Sequence, residues 1–157
     1  DGKKASFIYA SSYPIKELLT SEGRMLEIYT YHKVRETGFF DDIKSSLEIM
    51  WSGETAKNEL DLVATKGFCS LFIECKATWK LEHNFYSKLN NIAAHFGVNT
   101  KMVLIGDTLE VPGSVTASDN EACRNYGKDF GIITISDRKE IENIGEVLVK
   151  VMKGEYK

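Results

Sequence analysis

The sequence predicts a layered α/β domain, and three observations carry that prediction. Segments with strand-like alternation or continuous apolar character are interleaved with segments of helical periodicity. The first three strand-like segments are joined by short turns, which favours antiparallel pairing. The 157 residues are 43% hydrophobic, enough for one compact core, since single domains usually run to roughly 100–200 residues.

The elements follow in chain order. Phe7, Ile8 and Tyr9 make a short apolar opening, and residues 14–19 read as a brief helical turn. Ser21 is expected to cap a longer helix, on which Met25, Leu26, Ile28, Tyr29 and His32 recur at helical spacing until Gly38. Residues 39–51 alternate through Ile43, Ser45, Leu47, Ile49 and Trp51, with Gly53-Glu54 as the turn. A second strand covers 58–65 and turns at Lys66-Gly67. Residues 68–77 form a nearly continuous apolar run, as a strand covered on both faces requires. A helix is expected over 81–96, with Phe85, Leu89, Ile92, Ala93 and Phe96 on one stripe and Gly97 as its stop. A buried strand over 101–105, a loop at 112–114, a helix over 119–130 and a strand over 132–135 come next. Asp137 is expected to cap a last helix running to Met152.

Composition narrows the function classes. No apolar run approaches the roughly 18 residues of a membrane span, so no membrane role is expected. The three cysteines, Cys69, Cys75 and Cys123, are odd in number and lack zinc spacing, which suits reduced thiols in a cytoplasmic protein. A net charge of −3 removes a globally basic nucleic-acid binder but leaves room for a local basic patch. The first residue is Asp1 rather than Met, and a domain cut from a longer protein is expected.

Charged residues inside apolar strands mark the chemistry. Asp61 lies in Leu60-Asp61-Leu62-Val63, and Glu74 and Lys76 lie within Leu71-Phe72-Ile73-Glu74-Cys75-Lys76. Charges buried in a strand are costly unless paired or holding a metal. A period of two sends Glu74 and Lys76 to one face and Cys75 to the other. Asp61 and Glu74, on strands joined by a short turn, approach across a hairpin, where a hard divalent cation would relieve their repulsion. Mg²⁺ or Mn²⁺ is expected, held by both carboxylates and the Cys75 carbonyl, with Lys76 orienting a water for attack. Glu27, on the otherwise apolar turn Met25-Leu26-Glu27-Ile28-Tyr29, is a further ligand candidate. Glu59 is expected to face solvent, and Asp119-Asn120-Glu121 to begin a helix.

Together, Glu27 on a helix, Asp61 and Glu74-Cys75-Lys76 on strands, and the element order resemble the PD-(D/E)xK, or restriction-endonuclease-like, nuclease core. That resemblance implies an α-β-β-β-α-β nucleus over about residues 22–106, a mixed central sheet flanked by helices, and C-terminal helix and strand additions. No proline precedes Asp61, where the family often has one. Gly23-Arg24-Met25-Leu26-Glu27, Asn58-Glu59-Leu60-Asp61, Phe72-Ile73-Glu74-Cys75-Lys76 and Phe85-Tyr86-Ser87-Lys88-Leu89 are similar to the C-terminal nuclease domain of CRISPR-associated proteins with an N-terminal CARF sensor. This closer resemblance implies a homodimer that cuts DNA or RNA when the sensor binds a cyclic oligoadenylate, and it implies that Lys88 lines the site. A DNA-repair or restriction-type nuclease, and a non-catalytic dimerisation or docking module, are the alternatives. Retention of all four charged positions argues against the module.

From Lys76 to Lys101 the chain has four lysines and one acid, Glu82. Lys80, Tyr86 and Lys88 are therefore expected to meet a phosphate backbone, with Trp79 and Tyr86 offering stacking surfaces.

Overall fold

The computed structural model describes residues 12–21, 23–51, 57–78, 80–107 and 115–156. Its elements are α1 (Tyr13–Thr20), α2 (Arg24–Glu36), β1 (Asp42–Met50), β2 (Lys57–Lys66), β3 (Cys69–Lys76), α3 (His83–Ala93), β4 (Thr100–Gly106), α4 (Val115–Asp129), β5 (Ile132–Ile135), α5 (Arg138–Glu142) and α6 (Ile144–Lys153). The expected features at Phe7, Ile8 and Tyr9, at Gly53-Glu54, at Trp79 and at 112–114 lie outside the described residues.

Five strands form one sheet in the order β1-β2-β3-β4-β5. The tight turn at Lys66-Gly67 leaves β2 and β3 antiparallel, and β1 pairs antiparallel with β2. The crossover through α3 makes β4 parallel to β3, and β5 is parallel to β4. The sheet is therefore mixed, as expected, with β3 at its centre. Asp41 secures the β2–β3 turn, accepting the Gly67 N–H at 2.7 Å and pairing with Lys66 at 2.7 Å. The Gly67 backbone bond and then Lys66 hold the Asp41 carboxyl below its usual range.

Both faces of the sheet are covered. On one, Leu62, Ala64, Leu71, Ile73, Cys75, Val103 and Ile105 pack beneath α2 and α6. On the other, Phe72 and Leu104 pack beneath α3 and α4 with Tyr86, Leu89 and Ile92. Each fully buried aliphatic side chain contributes about 1.5–3 kcal/mol. Gly145 lets α6 approach α2 closely, because a side chain there would collide with the Lys33 carbonyl.

Several boundaries differ from expectation. Gly23, not Ser21, is the N-cap of α2, in the left-handed region at φ +80°. The third helix ends at Ala93, short of Phe96, whose ring packs edge-on to Phe72 instead. The fourth starts at Val115, which leaves Asp119 inside it and buries Asn120, whose Oδ1 accepts the Leu81 N–H at 2.6 Å. Asp137 does cap a helix, accepting from the N–H groups of Lys139 and Glu140, but that helix stops at Glu142 and α6 begins anew after Asn143.

Candidate active site

The site forms where the sheet forks. The paired register of β2 and β3 ends at Leu62↔Ile73, although β2 begins at Lys57 and β3 runs on to Lys76. In a regular strand Leu60 and Leu62 would share a face. Here Leu60 packs with Phe72 and Leu81, whereas Leu62 packs with Ile73 and Cys75, so the β1–β2 ribbon rolls across Asp61. Ser46 marks the same place on β1. It is the one non-glycine residue of positive φ among the described residues, at +52°, and no Cα partner is assigned to it between Ser45↔Leu62 and Leu47↔Leu60. Such a conformation costs about 1–2 kcal/mol.

Beyond the fork, the Cys75 N–H has no β2 carbonyl to meet. The Asp61 side chain replaces it, Oδ2 accepting that N–H at 2.7 Å. Burial first, and then the Glu74 charge, push the Asp61 carboxyl above its usual range, with the Cys75 bond opposing them.

Glu74 is only 1% exposed. Its Oε1 pairs with Lys76 at 2.8 Å and with Lys88 of α3 at 3.0 Å. Its Oε2 is buried and has no partner, which ordinarily costs about 1–3 kcal/mol. Lys76 also lies 3.8 Å from Asp61 and 5.6 Å from the centre of the Phe85 ring. Burial alone would lower the Lys76 pKa, but the hydrogen bond and charge of Glu74, with Asp61, raise it above its usual value. The Lys76 ammonium is thus held as a charged hydrogen-bond donor between the two carboxylates. Cys75 turns to the other face toward Thr30, at 4.0 Å, and burial holds its thiol well above the usual range. Only its backbone faces the site chemistry.

Glu27 reaches the fork from the first turn of α2. Burial, followed by the Asp61 charge, raises its carboxyl above the ordinary value. Gly23 matters beside it. A Cβ on Gly23 would lie 3.3 Å from the Cys75 carbonyl oxygen and 3.9 Å from Glu27 Oε1, so glycine keeps open a space that borders both oxygens.

This donor set fits a hard divalent cation, which prefers a few carboxylate and carbonyl oxygens completed by water or phosphate. Among the described residues no group of three or more acidic, His or Cys side chains is gathered to hold an ion unaided. The Cys75 carbonyl and solvent or substrate oxygens would complete the shell.

The structure thus links Asp61, Glu74, the Cys75 backbone, Lys76 and Lys88 by direct contacts and sets Glu27 beside the Cys75 carbonyl across Gly23, but it divides the expected basic surface. Tyr86 is fully buried, with its hydroxyl at 3.0 Å from Thr134 Oγ1, and offers no face for stacking. Its stripe on α3 points into the core, and Gly127 leaves space for the ring against α4. Lys80 is exposed, 3.8 Å from Asp119. Lys101 turns away to the end of α6. An aromatic pair missed in the sequence, His83 stacked on Tyr126 at 4.3 Å, lies at the start of α3. Arg24 was also missed as a site residue, although its spacing of three from Glu27 is a visible ion-pair signal. The places of Ser46 and Phe85 depend on tertiary contacts alone.

Residues 16–109 match the family model described as the endonuclease domain of Card1-like proteins. Among solved structures, Can2 from Sulfobacillus thermosulfidooxidans, determined in complex with cyclic tetra-adenylate, is similar with a TM-score of 0.67 at 17% identity, over 90% of this chain and 39% of Can2. Protein VC1899 from Vibrio cholerae is similar with a TM-score of 0.69 at 13% identity, over 93% of this chain and 37% of that one. The chain therefore spans about two-fifths of each, and at these identities the likeness shows the fold. No curated protein sequence matches the chain.

Proposed function

The chain belongs to the family of Card1-like endonuclease domains, and from that premise we propose that it hydrolyses phosphodiester bonds of DNA or RNA with a divalent metal. The supporting observation is Glu74: a buried carboxylate with two lysines on one oxygen and no partner on the other. Asp61, Glu74 and the Cys75 carbonyl would hold Mg²⁺ or Mn²⁺, with Glu27 drawn in from α2 as the ion binds. When bound, such an ion activates a water and offsets charge on the scissile phosphate.

The chain's own residues supply the rest. Lys76, kept protonated by Glu74 and Asp61, donates a hydrogen bond that orients the attacking water and steadies negative charge as it develops. Phe85 lies beneath the ammonium and limits where it can swing. Lys88 holds Glu74 from the α3 side, fixing the carboxylate while its second oxygen stays available. Lys80 supplies attraction for the backbone further out.

Regulation is the finer part of this reading. We take the domain to be the effector of a homodimeric, CRISPR-associated protein whose separate N-terminal sensor binds a cyclic oligoadenylate. The motif resemblance supports this, as does the likeness to Can2, which was solved with cyclic tetra-adenylate.

The test is cleavage of labelled single-stranded DNA, duplex DNA and RNA with Mn²⁺, comparing the chain with Glu74→Gln and Lys76→Ala. Both variants are expected to lose at least about 100-fold in rate, the usual scale for removing an acid–base or charge-stabilising group. Equal cleavage by all three would overturn the assignment.

A further inference from the structure

The lysines near the carboxylates come from β3, α3 and the segment joining them. The opposite wall, made by the start of α2 and by β1, carries Arg24. Its side chain is about half exposed. One guanidinium nitrogen, Nη1, lies 3.4 Å from Glu27 Oε2 and 3.3 Å from Ser46 Oγ.

Three features set this residue apart from an ordinary surface ion pair. Its contacts are long beside the 2.7–2.9 Å of a strong charge-assisted bond, so little is lost in breaking them. It is a cation in the first turn of a helix, where the helix dipole disfavours positive charge. Finally, its partners are a proposed metal-holding carboxylate and a serine fixed by left-handed backbone at the fork. A dication on Glu27 would draw that carboxylate away and release the guanidinium at the rim of the site.

We propose that Arg24 is a phosphate-holding arm, which exchanges Glu27 for an oxygen of the nucleic-acid backbone when a divalent ion engages Glu27. The proposal rests on the nuclease reading. A guanidinium suits the task because its planar donors match two phosphate oxygens at once, which an ammonium cannot do. Arg24 then holds the strand from the wall of α2 and β1 while Lys88 stays on Glu74, and metal loading and substrate loading become linked through one side chain.

The experiment compares the chain with Arg24→Ala and Arg24→Lys in two assays. Mn²⁺ binding is read from the electron paramagnetic resonance of free ion. KM and kcat are read on labelled single-stranded DNA and RNA across a salt series. Arg24→Ala is expected to bind Mn²⁺ at least as tightly as the parent, because a competitor for Glu27 is gone. Its KM should rise about tenfold, and the magnitude of the slope of log affinity against log salt should fall by about 0.7. Arg24→Lys should recover only part of the KM. Weaker Mn²⁺ binding in Arg24→Ala would overturn the exchange, and an unchanged KM and salt slope would overturn the phosphate contact. Failure of the nuclease reading looks different: the parent chain itself would then neither bind nor cut nucleic acid, and both proposals would fall together.

Discussion

Replacing Gly23 with alanine separates the backbone role of this residue from its role at the carboxylates. At φ +80°, a side chain costs about 1–2 kcal/mol in the folded state. Alanine recovers about 0.4–1 kcal/mol by stiffening the unfolded chain. The net loss is about 1 kcal/mol, or roughly 2–4 °C in melting temperature for a domain of this size. Gly97 has nearly the same φ, +81°, but nothing within 4 Å of its missing Cβ. Gly97→Ala therefore carries the cost of a positive φ without touching the site. The added methyl at Gly23 sits 3.3 Å from the Cys75 carbonyl and 3.9 Å from Glu27 Oε1, crowding two proposed metal ligands. Melting scans, Mn²⁺ titration and oligonucleotide cleavage on both variants make the test. Both should melt a few degrees lower, while Gly23→Ala alone should lose at least about tenfold in Mn²⁺ affinity, with cleavage partly restored by excess Mn²⁺. If the two variants bind Mn²⁺ as tightly as the parent, the Gly23 space is not part of a metal site.

Three further outcomes follow from the same geometry. Asp61 and Glu27 both have raised carboxyl pKa values, from burial first and a neighbouring carboxylate second. Their contribution to stability is therefore present below the unfolded values of 3.8 and 4.5 and is lost as pH rises through the folded values. In a chelator, the urea midpoint should carry a falling component over that window that Asp61→Asn reduces; identical profiles would remove the repulsion from the account. Lys101 donates to the Val151 and Met152 carbonyls at 2.7 and 2.8 Å, closing the end of α6. Lys101→Met should lower stability by about 2–3 kcal/mol in urea and leave cleavage at 25 °C unchanged, and a loss under 0.5 kcal/mol (roughly the noise for surface substitutions) would refute the cap. Gly127→Ala should cost about 1–3 kcal/mol by overpacking against Tyr86, and the cost should shrink in a Tyr86→Leu background.

Much of this molecule is legible in its sequence because the local signals agree with the fold. Strand alternation, the Lys66-Gly67 turn and the apolar run of β3 specify the central hairpin, and charges set within that run disclose Asp61, Glu74 and Lys76. What escaped reading is tertiary. Tyr86 and Lys88 are two residues apart on one helix, yet one fills the core and the other bonds Glu74, a division that depends on how α3 is rotated against the sheet. Lys101 resembles a member of a basic patch until the end of α6 is known to lie beside it. The break at Asn143 has no proline to mark it, and the early start of α4 is easily passed over although Pro112-Gly113-Ser114 stands directly before Val115, because Asp119 offers an acidic helix start further on.

The bond from the Cys75 N–H to Asp61 has a consequence for substitution tolerance. That carboxylate closes the sheet at the fork with one oxygen while facing the metal candidates, so folding and chemistry draw on the same side chain. Asparagine at position 61 is expected to fold, because it keeps an acceptor at the same distance from the backbone. Alanine would leave the amide stranded, and glutamate would place its oxygens one carbon too far. An inactive form intended to retain the native architecture is therefore better made at Asp61 with asparagine than with alanine, and variants at this position that lack the acceptor should each lose about 1–3 kcal/mol of stability.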